Sequence, residues 1–404
     1  MKRLQAFKFE LKVFGRELRA LYRIAGSCRF VYNKALALQK EFYQNHAKKM
    51  TYAALCKILT SWRNDPEFPW LKASPSQALQ QSLKDLEYAY QNFFAKRADF
   101  PKFKRRHARD AFRFPQGFNL DQMNSRIYLP KIGWIRYRNS RLVEGNIANI
   151  TVSRSRDKWY VSIQTERDVP EPIHLSSSAI GADVGVAKLV TLSDGTVIES
   201  NNPKFKHYQK KIAAYQRKAS KQKKFSRNWN KTIRKISKLH HKISRIRNDY
   251  LHQTSHILSK NHAMICLENL QIKNMSKSAS GTLENPGKNV KAKSGLNKAI
   301  LNQGWYELRR QLEYKQLWRG GSVVFVSPKN TSRECPDCRY ISSENRVTQS
   351  LFSCKQCKYE NNADIVGAIN ILRAGHAQLA CGEMVHLGHL MKQEPTEVVQ
   401  TVLI

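Results

Sequence analysis

The sequence has no apolar run approaching the roughly 18 residues that a membrane-spanning helix requires, and it has no lipidation signal. Its opening stretch, MKRLQAFKFELKV, alternates charged and apolar side chains, which is not the pattern of a secretion signal. These absences argue against a membrane surface as the partner and against export.

Acidic residues are scarce as well: 31 Asp and Glu stand against 70 Lys and Arg, for a formal net charge of +39. Residues 204–247 hold seventeen Lys or Arg and no acid. Apolar residues recur there at helical spacing, which predicts a helical hairpin (204–261) with a very basic outer face. A solvated face is the alternative, but so many uncompensated cations favour a nucleic-acid partner. The candidate contacts are Lys221, Lys223, Lys224 and Arg227.

The pattern of cysteines does not indicate disulfides. Two C-x2-C pairs stand fifteen residues apart: Cys335 with Cys338, and Cys354 with Cys357. This spacing predicts a four-thiolate zinc ribbon (329–360) whose ion is structural, because four thiolates leave no open coordination position. The remaining cysteines are isolated: Cys28, Cys56, Cys266 and Cys381. A reducing, intracellular compartment fits best.

The first 175 residues alternate between strand-like and helix-like patterns. Period-two alternation predicts a strand over 4–13, and 126–139 and 148–166 are also predicted as strands, with a hairpin around Arg156. Three apolar stripes at helical spacing between them predict a helical bundle (16–97), whose third helix opens on a capping box at Ser74. We therefore predict a β-barrel (1–15 and 98–175) with the bundle inserted between its strands.

Two stretches of this half could contact nucleic acid. The third helix carries a polar side that could read base edges: Gln77, Gln80, Gln81 and Lys84. Gln77 could instead serve only the capping box. The segment 99–118 alternates phenylalanines with basic candidates for phosphate contact: Lys102, Lys104, Arg105 and Arg106. Its phenylalanines could equally be core residues.

Three acids in apolar surroundings mark the second half. Asp183 sits at the middle of a strand within 179–198, Glu268 ends the strand AMICLENL, and Asp364 opens a helix. This order predicts an RNase H-like domain (176–328 and 361–380), in which three carboxylates hold two Mg²⁺ ions about 3.5–4 Å apart. Singly, each acid could serve a turn, face solvent or cap a helix.

The connections around these acids are predicted as well. The segment 276–298 lacks periodicity and is expected to be a loop, and 301–318 is expected to be one helix. Little order is expected from residue 375 onward, and 381–404 is predicted to be a disordered tail. The fold class is thus α+β multidomain, with the hairpin and the ribbon as insertions in the second domain.

Four motifs occur in one order: GADVGV, ICLENL, TSRECPDC with CKQC, and ADIVGAINIL. At these residues the chain resembles the TnpB family of insertion-sequence proteins, which is related to the compact type V CRISPR effectors. The resemblance runs from the first strand to about residue 380. It implies an RNA-guided DNA endonuclease with wedge and recognition domains, a RuvC nuclease and a zinc-bearing insert. Its guide would come from the end of its own element, and a short motif would flank its double-stranded target.

The resemblance also implies roles for particular residues. Asp183, Glu268 and Asp364 fall on the family's catalytic triad, where they would hold two Mg²⁺ ions. The four paired cysteines fall on its ligands for one Zn²⁺, and the third helix falls where adjacent-motif DNA is contacted. The chain departs from the family in having Val366 where asparagine is common and Asn362 where another acid is frequent.

The implied setting is the bacterial or archaeal cytoplasm, with no obligate protein partner. Two alternatives stay open: a nuclease-silent, RNA-guided DNA-binding regulator, and a transposase subunit that transfers strands itself.

Overall fold

The computed structural model describes residues 1–46, 49–106, 110–199 and 203–380 of the chain. It divides into two compact units, Met1–Pro170 and Glu171–Ile404. The tail predicted over 381–404, and Cys381 within it, lie outside the described residues.

The first unit contains a seven-stranded antiparallel sheet with the order β2-β6-β7-β1-β5-β4-β3. Its strands are β1 (Lys2–Lys12), β2 (Ala111–Phe114), β3 (Asn119–Asp121), β4 (Arg126–Leu129), β5 (Gly133–Tyr137), β6 (Asn146–Ser155) and β7 (Lys158–Asp168). The strand expected over 126–139 is a hairpin of two strands, β4 and β5. Arg156, at a φ of 60°, makes the turn between β6 and β7 where the sequence predicts it.

Three helices pack on this sheet and share its core: α1 (Gly15–His46), α2 (Tyr52–Asn64) and α3 (Ser76–Phe94). The ring of Tyr22 on α1 lies 5.5 Å from that of Trp159 on β7. The predicted capping box is wrong: α3 has no side-chain cap, and Pro75 is its N-cap residue. The Ser74 hydroxyl is buried and donates instead to Ser27 Oγ on α1 at 2.8 Å. The Ser74 side chain thus bonds to another helix and does not cap α3.

The second unit contains a five-stranded sheet with the order β10-β9-β8-β11-β12. Its strands are β8 (Ala179–Asp183), β9 (Lys188–Leu192), β10 (Val197–Glu199), β11 (Met264–Glu268) and β12 (Ser322–Val326). The strands β8, β9 and β10 form an antiparallel meander, while β11 lies parallel to both β8 and β12. Asp183 is the last residue of β8, not its middle as expected.

Helices cover both faces of this sheet. The helices of this unit are α4 (Pro203–Ser220), α5 (Arg227–Asn261), α6 (Ile272–Met275), α7 (Val290–Gln303), α8 (Trp305–Arg319) and α9 (Ala363–Ala380). Alternate residues of β11 divide between the faces: Ile265 and Leu267 pack in the core with α5 and α8, and Met264 and Cys266 pack with α9.

Three expectations for this half are wrong. Residues 290–298 belong to α7 and are not a loop. The helix expected over 301–318 is broken at Gly304, whose φ of 74° is left-handed, so α7 ends and α8 begins there. Residues 375–380 continue α9, which packs through its small and apolar side chains.

The cysteine segment forms a small lobe with a two-stranded ladder, β13 (Leu351–Ser353) and β14 (Glu360–Asn362). In the part of the chain that the structure describes, we find no helix with the length and apolarity needed to cross a membrane.

Candidate functional site

Asp183 and Glu268 end neighbouring parallel strands. Leu267 of β11 pairs with Ala182 of β8, and the two acids are the next residue on each strand. Because side chains alternate along a strand, Asp183 shares a face with Gly181, and Glu268 shares one with Cys266. Both Gly181 and Cys266 lie against α9, so the two acids are on the side of the sheet that α9 covers.

Glycines allow α9 to lie directly on the sheet. A Cβ on Gly181 would lie 2.0 Å from the carbonyl oxygen of Ala368, and one on Gly375 would lie 2.2 Å from Cys266 Sγ. Real Cβ atoms do not approach that closely, so only glycine permits this contact at either position. The close packing brings the first turn of α9, with Asp364, to the strand ends.

Asp364 joins the two strand acids from this first turn. Its backbone N–H donates to Asn362 Oδ1 at 3.0 Å, so Asn362 caps the start of the helix. Two cations flank its carboxylate: Lys188 Nζ at 3.6 Å and Arg346 of the ribbon at 3.9 Å. The residue that departs from the family at position 362 therefore has a structural role here.

The pKa of Asp183 responds to the other two acids of this site. Burial, followed by the charges of Glu268 and Asp364, raises the pKa of Asp183 to about 7, while Arg346 acts in the opposite direction. Burial also raises the pKa of Glu268, against the effect of its hydrogen bond from Thr331. Asp183 and Glu268, whose ionisation is suppressed in this way, are fitting ligands for divalent cations, which compensate the charge.

Two supporting residues escaped the sequence analysis. Thr331 Oγ1 donates to Glu268 Oε1 at 2.5 Å. Asn370 of α9, which is buried, donates to the carbonyl oxygens of Thr331 at 2.8 Å and Glu334 at 2.7 Å. This chain of bonds links α9, the segment entering the ribbon and Glu268. The only sign of these residues in the sequence is Asn370 itself, a polar residue within an otherwise apolar helical pattern.

The four paired cysteines converge as predicted. Their Sγ atoms all lie within 4.8 Å of one another. The distance is 3.6 Å from Cys335 to Cys357 and 3.5 Å from Cys338 to Cys354. Four thiolates around a tetrahedral Zn²⁺, with Zn–S near 2.3 Å, stand about 3.8 Å apart, so the site fits zinc. Among the described residues, no other group of three or more potential metal ligands lies this close together. The three acids do not form such a group.

The ribbon also packs on α9. Ala363 and Val366, both buried, lie in one apolar cluster with Phe352 and with the ligands Cys335 and Cys354. The valine that departs from the family at position 366 therefore joins the ribbon to the helix that carries Asp364. Loss of the ribbon's structure would therefore remove the packing of the helical turn that holds Asp364.

The candidate nucleic-acid residues of the first unit differ in exposure. Gln80 and Lys84 are exposed, while Gln77 and Gln81 are partly buried. Lys102 pairs with Asp99 at 3.4 Å. Lys104 lies 4.0 Å above the ring of Tyr32 and 3.5 Å from Asp85. Arg105 and Arg106 are exposed. Of these four basic candidates, only Arg105 and Arg106 have no acidic partner among the described residues.

The phenylalanines of the same segment divide between the two interpretations. Phe112 and Phe114 belong to the core, as the alternative held. Phe100 and Phe103 remain exposed, and Lys40 lies 5.4 Å and 4.9 Å from their rings.

The basic hairpin is formed by α4 and α5, which pack through apolar residues such as Ile212, Ile236 and Leu239. Its candidate contacts Lys221, Lys223, Lys224 and Arg227 are exposed at the tip between the helices. No ion pair involves these four within the described ranges.

Comparisons with known proteins match three parts of the chain to family models. Residues 162–279 match the OrfB family of IS605-type elements, described as "Probable transposase", and 305–371 match the "Cas12f1-like, TNB domain". Residues 1–48 match a model described as a helix-turn-helix domain. The structure has one strand and one long helix over 1–46, so that description does not fit the described residues.

Similar proteins cover almost the whole chain. One from Escherichia coli K12, named "Putative RNA-guided DNA endonuclease InsQ", is 59% identical over 99% of both chains. One from Streptomyces pristinaespiralis with the same descriptive name is 32% identical over 94% of this chain and 91% of its own. The Cas12f1 protein of a solved Cas12f1–sgRNA–target DNA complex has a similar fold, with a TM-score of 0.57, 15% identity and coverage of 89% of this chain and 83% of its own.

Proposed function

Because this chain belongs to the TnpB family, several of whose members are named as RNA-guided DNA endonucleases, we propose that it cuts double-stranded DNA at sites selected by a bound guide RNA. The observation that carries the nuclease activity is the meeting of Asp183, Glu268 and Asp364 at one end of the second sheet. Three separate chain segments supply these acids: the ends of β8 and β11 and the first turn of α9.

The acids would hold two Mg²⁺ ions beside the scissile phosphate. Bound there, the ions supply a nucleophilic water and stabilise the departing 3′ oxygen. Added positive charge would oppose the burial and the neighbouring acids that raise the pKa of Asp183. Thr331 orients Glu268 through its hydroxyl, and Lys188 and Arg346 hold the carboxylate of Asp364.

The strand order supports an RNase H-like, RuvC-type assignment of the second unit. In support of it, an antiparallel meander is followed by two parallel strands, and β8, β11 and a covering helix carry one acid each. The first sheet is proposed as the wedge β-barrel, with α1 to α3 as the recognition bundle. The proposed domain bounds are 1–15 with 98–175, 16–97, 176–328 with 361–380, and 329–360.

Nucleic acid is the partner that the charge favours. With a net charge of +39, the chain would neutralise many phosphates of an RNA and of its target. Sequence would be read by base pairing with the guide, while the protein recognises the shape of the heteroduplex and a short flanking motif. A guide from the end of the protein's own element is part of this proposal.

The deciding experiment expresses the protein together with the DNA that flanks its gene, then sequences the RNA that copurifies. One discrete species with a variable 3′ segment is expected. The complex should then cut a matching duplex in Mg²⁺ and leave it intact in EDTA. A heterogeneous mixture of RNA, with no guided cutting, would refute guidance.

Asp183→Ala separates the nuclease from the nuclease-silent regulator. The variant should bind guide and target as the wild type does and fail to cut. Equal, undetectable cutting by both proteins, with intact binding, would favour the regulator. Because the matched family is described as a transposase, a donor end is included in the assay, and joined strands would revive the strand-transfer alternative.

A further inference from the structure

The tip of the basic hairpin presents a phenylalanine to solvent. Phe225 lies between α4 and α5, and 79% of its surface is exposed. It is also held at a φ of 67°, in the left-handed region. A bulky residue is strained there, and glycine or asparagine is the usual choice. An exposed aromatic ring in an unfavourable backbone conformation contributes little to the fold, so its presence requires another explanation.

Hydrogen bonds and one ring contact order the tip around Phe225. Asn230 Nδ2 donates to the carbonyl oxygen of Phe225 at 2.9 Å, and Ser226 caps α5 by accepting from the N–H of Trp229 at 3.2 Å. The half-buried ring of Trp229 supports that of Phe225 from one side, with centroids 5.3 Å apart. The opposite side of the Phe225 ring remains open.

The positive charge near Phe225 favours a polyanion as the partner. Lys221, Lys223, Lys224 and Arg227 lie within four residues of Phe225 along the chain, all exposed and without an acidic partner among the described residues. A protein partner with an apolar pocket would have to bury these cations. Nucleic acid satisfies both features, because its phosphates pair with the cations and its bases offer flat faces for stacking.

We propose that Phe225 stacks on the uncovered face of a nucleobase, while the cations around it hold the adjoining phosphates. Such a face occurs at the end of a duplex or on an unpaired base, and the chemistry of recognition is the same in both. Stacking on aromatic rings tolerates any base, so the contact adds affinity and position without reading sequence. The inference rests on the proposed nucleic-acid function and adds to it a site that works independently of the acids.

The test uses the full-length protein and a fluorescent base, 2-aminopurine, which is quenched on stacking. One probe is an RNA–DNA hybrid of about 20 base pairs, the length of a guided heteroduplex, with the fluorophore at its end; a second carries it in the interior. A third is the single strand. Quenching of the end-labelled hybrid or of the single strand, but not of the interior label, is expected, and the responding probe identifies the source.

Phe225→Ala should abolish this quenching and weaken binding of the responding probe about tenfold. Phe225→Trp should retain both. Phe14→Ala, which removes another exposed phenylalanine, with 75% of its surface exposed, should change neither. Quenching by Phe225→Ala equal to that of the wild type would overturn the proposal.

Phe225→Gly separates stacking from structure. Glycine relieves the left-handed strain, so this variant should melt above Phe225→Ala while binding as weakly as it does. If binding recovered together with stability, the ring would be structural and the proposal wrong. None of these measurements requires cutting or a natural guide, so a failure of the nuclease assignment would leave their outcome unaffected.

Discussion

Gly367 faces Asp183 so closely that a Cβ at position 367 would lie 3.1 Å from Asp183 Oδ2. Gly367 stands three residues after Asp364, on the same side of α9. α9 therefore contributes the carboxylate of Asp364 to the site and, one turn later, places the backbone of Gly367 against Asp183. The space in front of Asp183 depends on this missing side chain.

Gly367→Ala should reduce cutting about 10- to 100-fold, because the added methyl group displaces Asp183 from the geometry the reaction needs. Helix propensity would offset part of any strain, since Ala in a helix interior is favoured over Gly by about 1 kcal/mol. Cleavage rate and melting temperature are measured together. Gly295→Ala in α7 is the matched control, because a Cβ there meets nothing within 4 Å. Equal activity of the two variants would contradict this account.

The stability of the metal-free protein should depend on the ionisation of Asp183. Its pKa of about 7 in the folded chain exceeds the value of about 3.9 expected when unfolded, so folding favours the proton. Raising the pH from about 4 to about 7 should therefore destabilise the fold, on the order of 2–4 kcal/mol. Denaturant unfolding of wild type and Asp183→Asn across this range measures the effect. The variant should be the more stable above pH 7, and a constant difference would exclude the mechanism.

Thr331→Val should shift the pH profile of cutting to higher pH. Removing the hydroxyl removes the hydrogen bond that opposes the raised pKa of Glu268, so this acid would ionise later. Thr331→Ser keeps the donor and should behave like the wild type. Profiles of single-turnover cleavage rate against pH, recorded for the three proteins, decide the matter. Coincident profiles for all three would show that Thr331 has no influence on the acid.

Cys354→Ala should release zinc and impair cutting together. Zinc content should fall from about one ion per chain to near zero, because three thiolates hold the ion far less tightly. Cutting should fall because Val366 and Ala363 lose the cluster that packs the first turn of α9. Cys56→Ala, which removes a partly buried cysteine outside the ribbon, should keep its zinc. Retained zinc in Cys354→Ala would count against ligation by four cysteines.

Neutralising Lys221, Lys223, Lys224 and Arg227 together should flatten the salt dependence of binding. The plot of log K against log salt has a negative slope. For every phosphate that the protein no longer neutralises, this slope should become less steep by roughly one unit. A matched variant would neutralise lysines already paired with acids, such as Lys2 with Glu166 at 2.7 Å and Lys158 with Glu10 at 2.6 Å. Its slope should change little. An unchanged slope in the hairpin variant would make the tip a solvated face.

Patterns within single segments predicted much of this molecule. Period-two alternation and short apolar runs placed strands in both units, and cysteine spacing predicted the cluster of four Sγ atoms. These features could be predicted because residues close together in the sequence determine a strand or a pair of metal-binding cysteines.

Interactions between distant segments were not predictable in this way. Ser74 had every local mark of a helix cap, yet its hydroxyl found a partner on another helix. Thr331 and Asn370 acquire their roles only when α9 lies beside the segment entering the ribbon. Gly304 could be tolerated inside a helix, and only the tertiary path of the chain decides that it divides two.

The order of the three acids along the chain has a consequence for synthesis. Asp364 lies on α9, the last element that the structure describes, whereas the basic hairpin is complete by Asn261. A chain emerging from the ribosome therefore exposes its cationic surface well before the third acid has been translated. On the proposed function, affinity for nucleic acid precedes the capacity to cut it. On the same proposal, a chain that ends before Asp364 would carry the cations of the hairpin and lack the third acid.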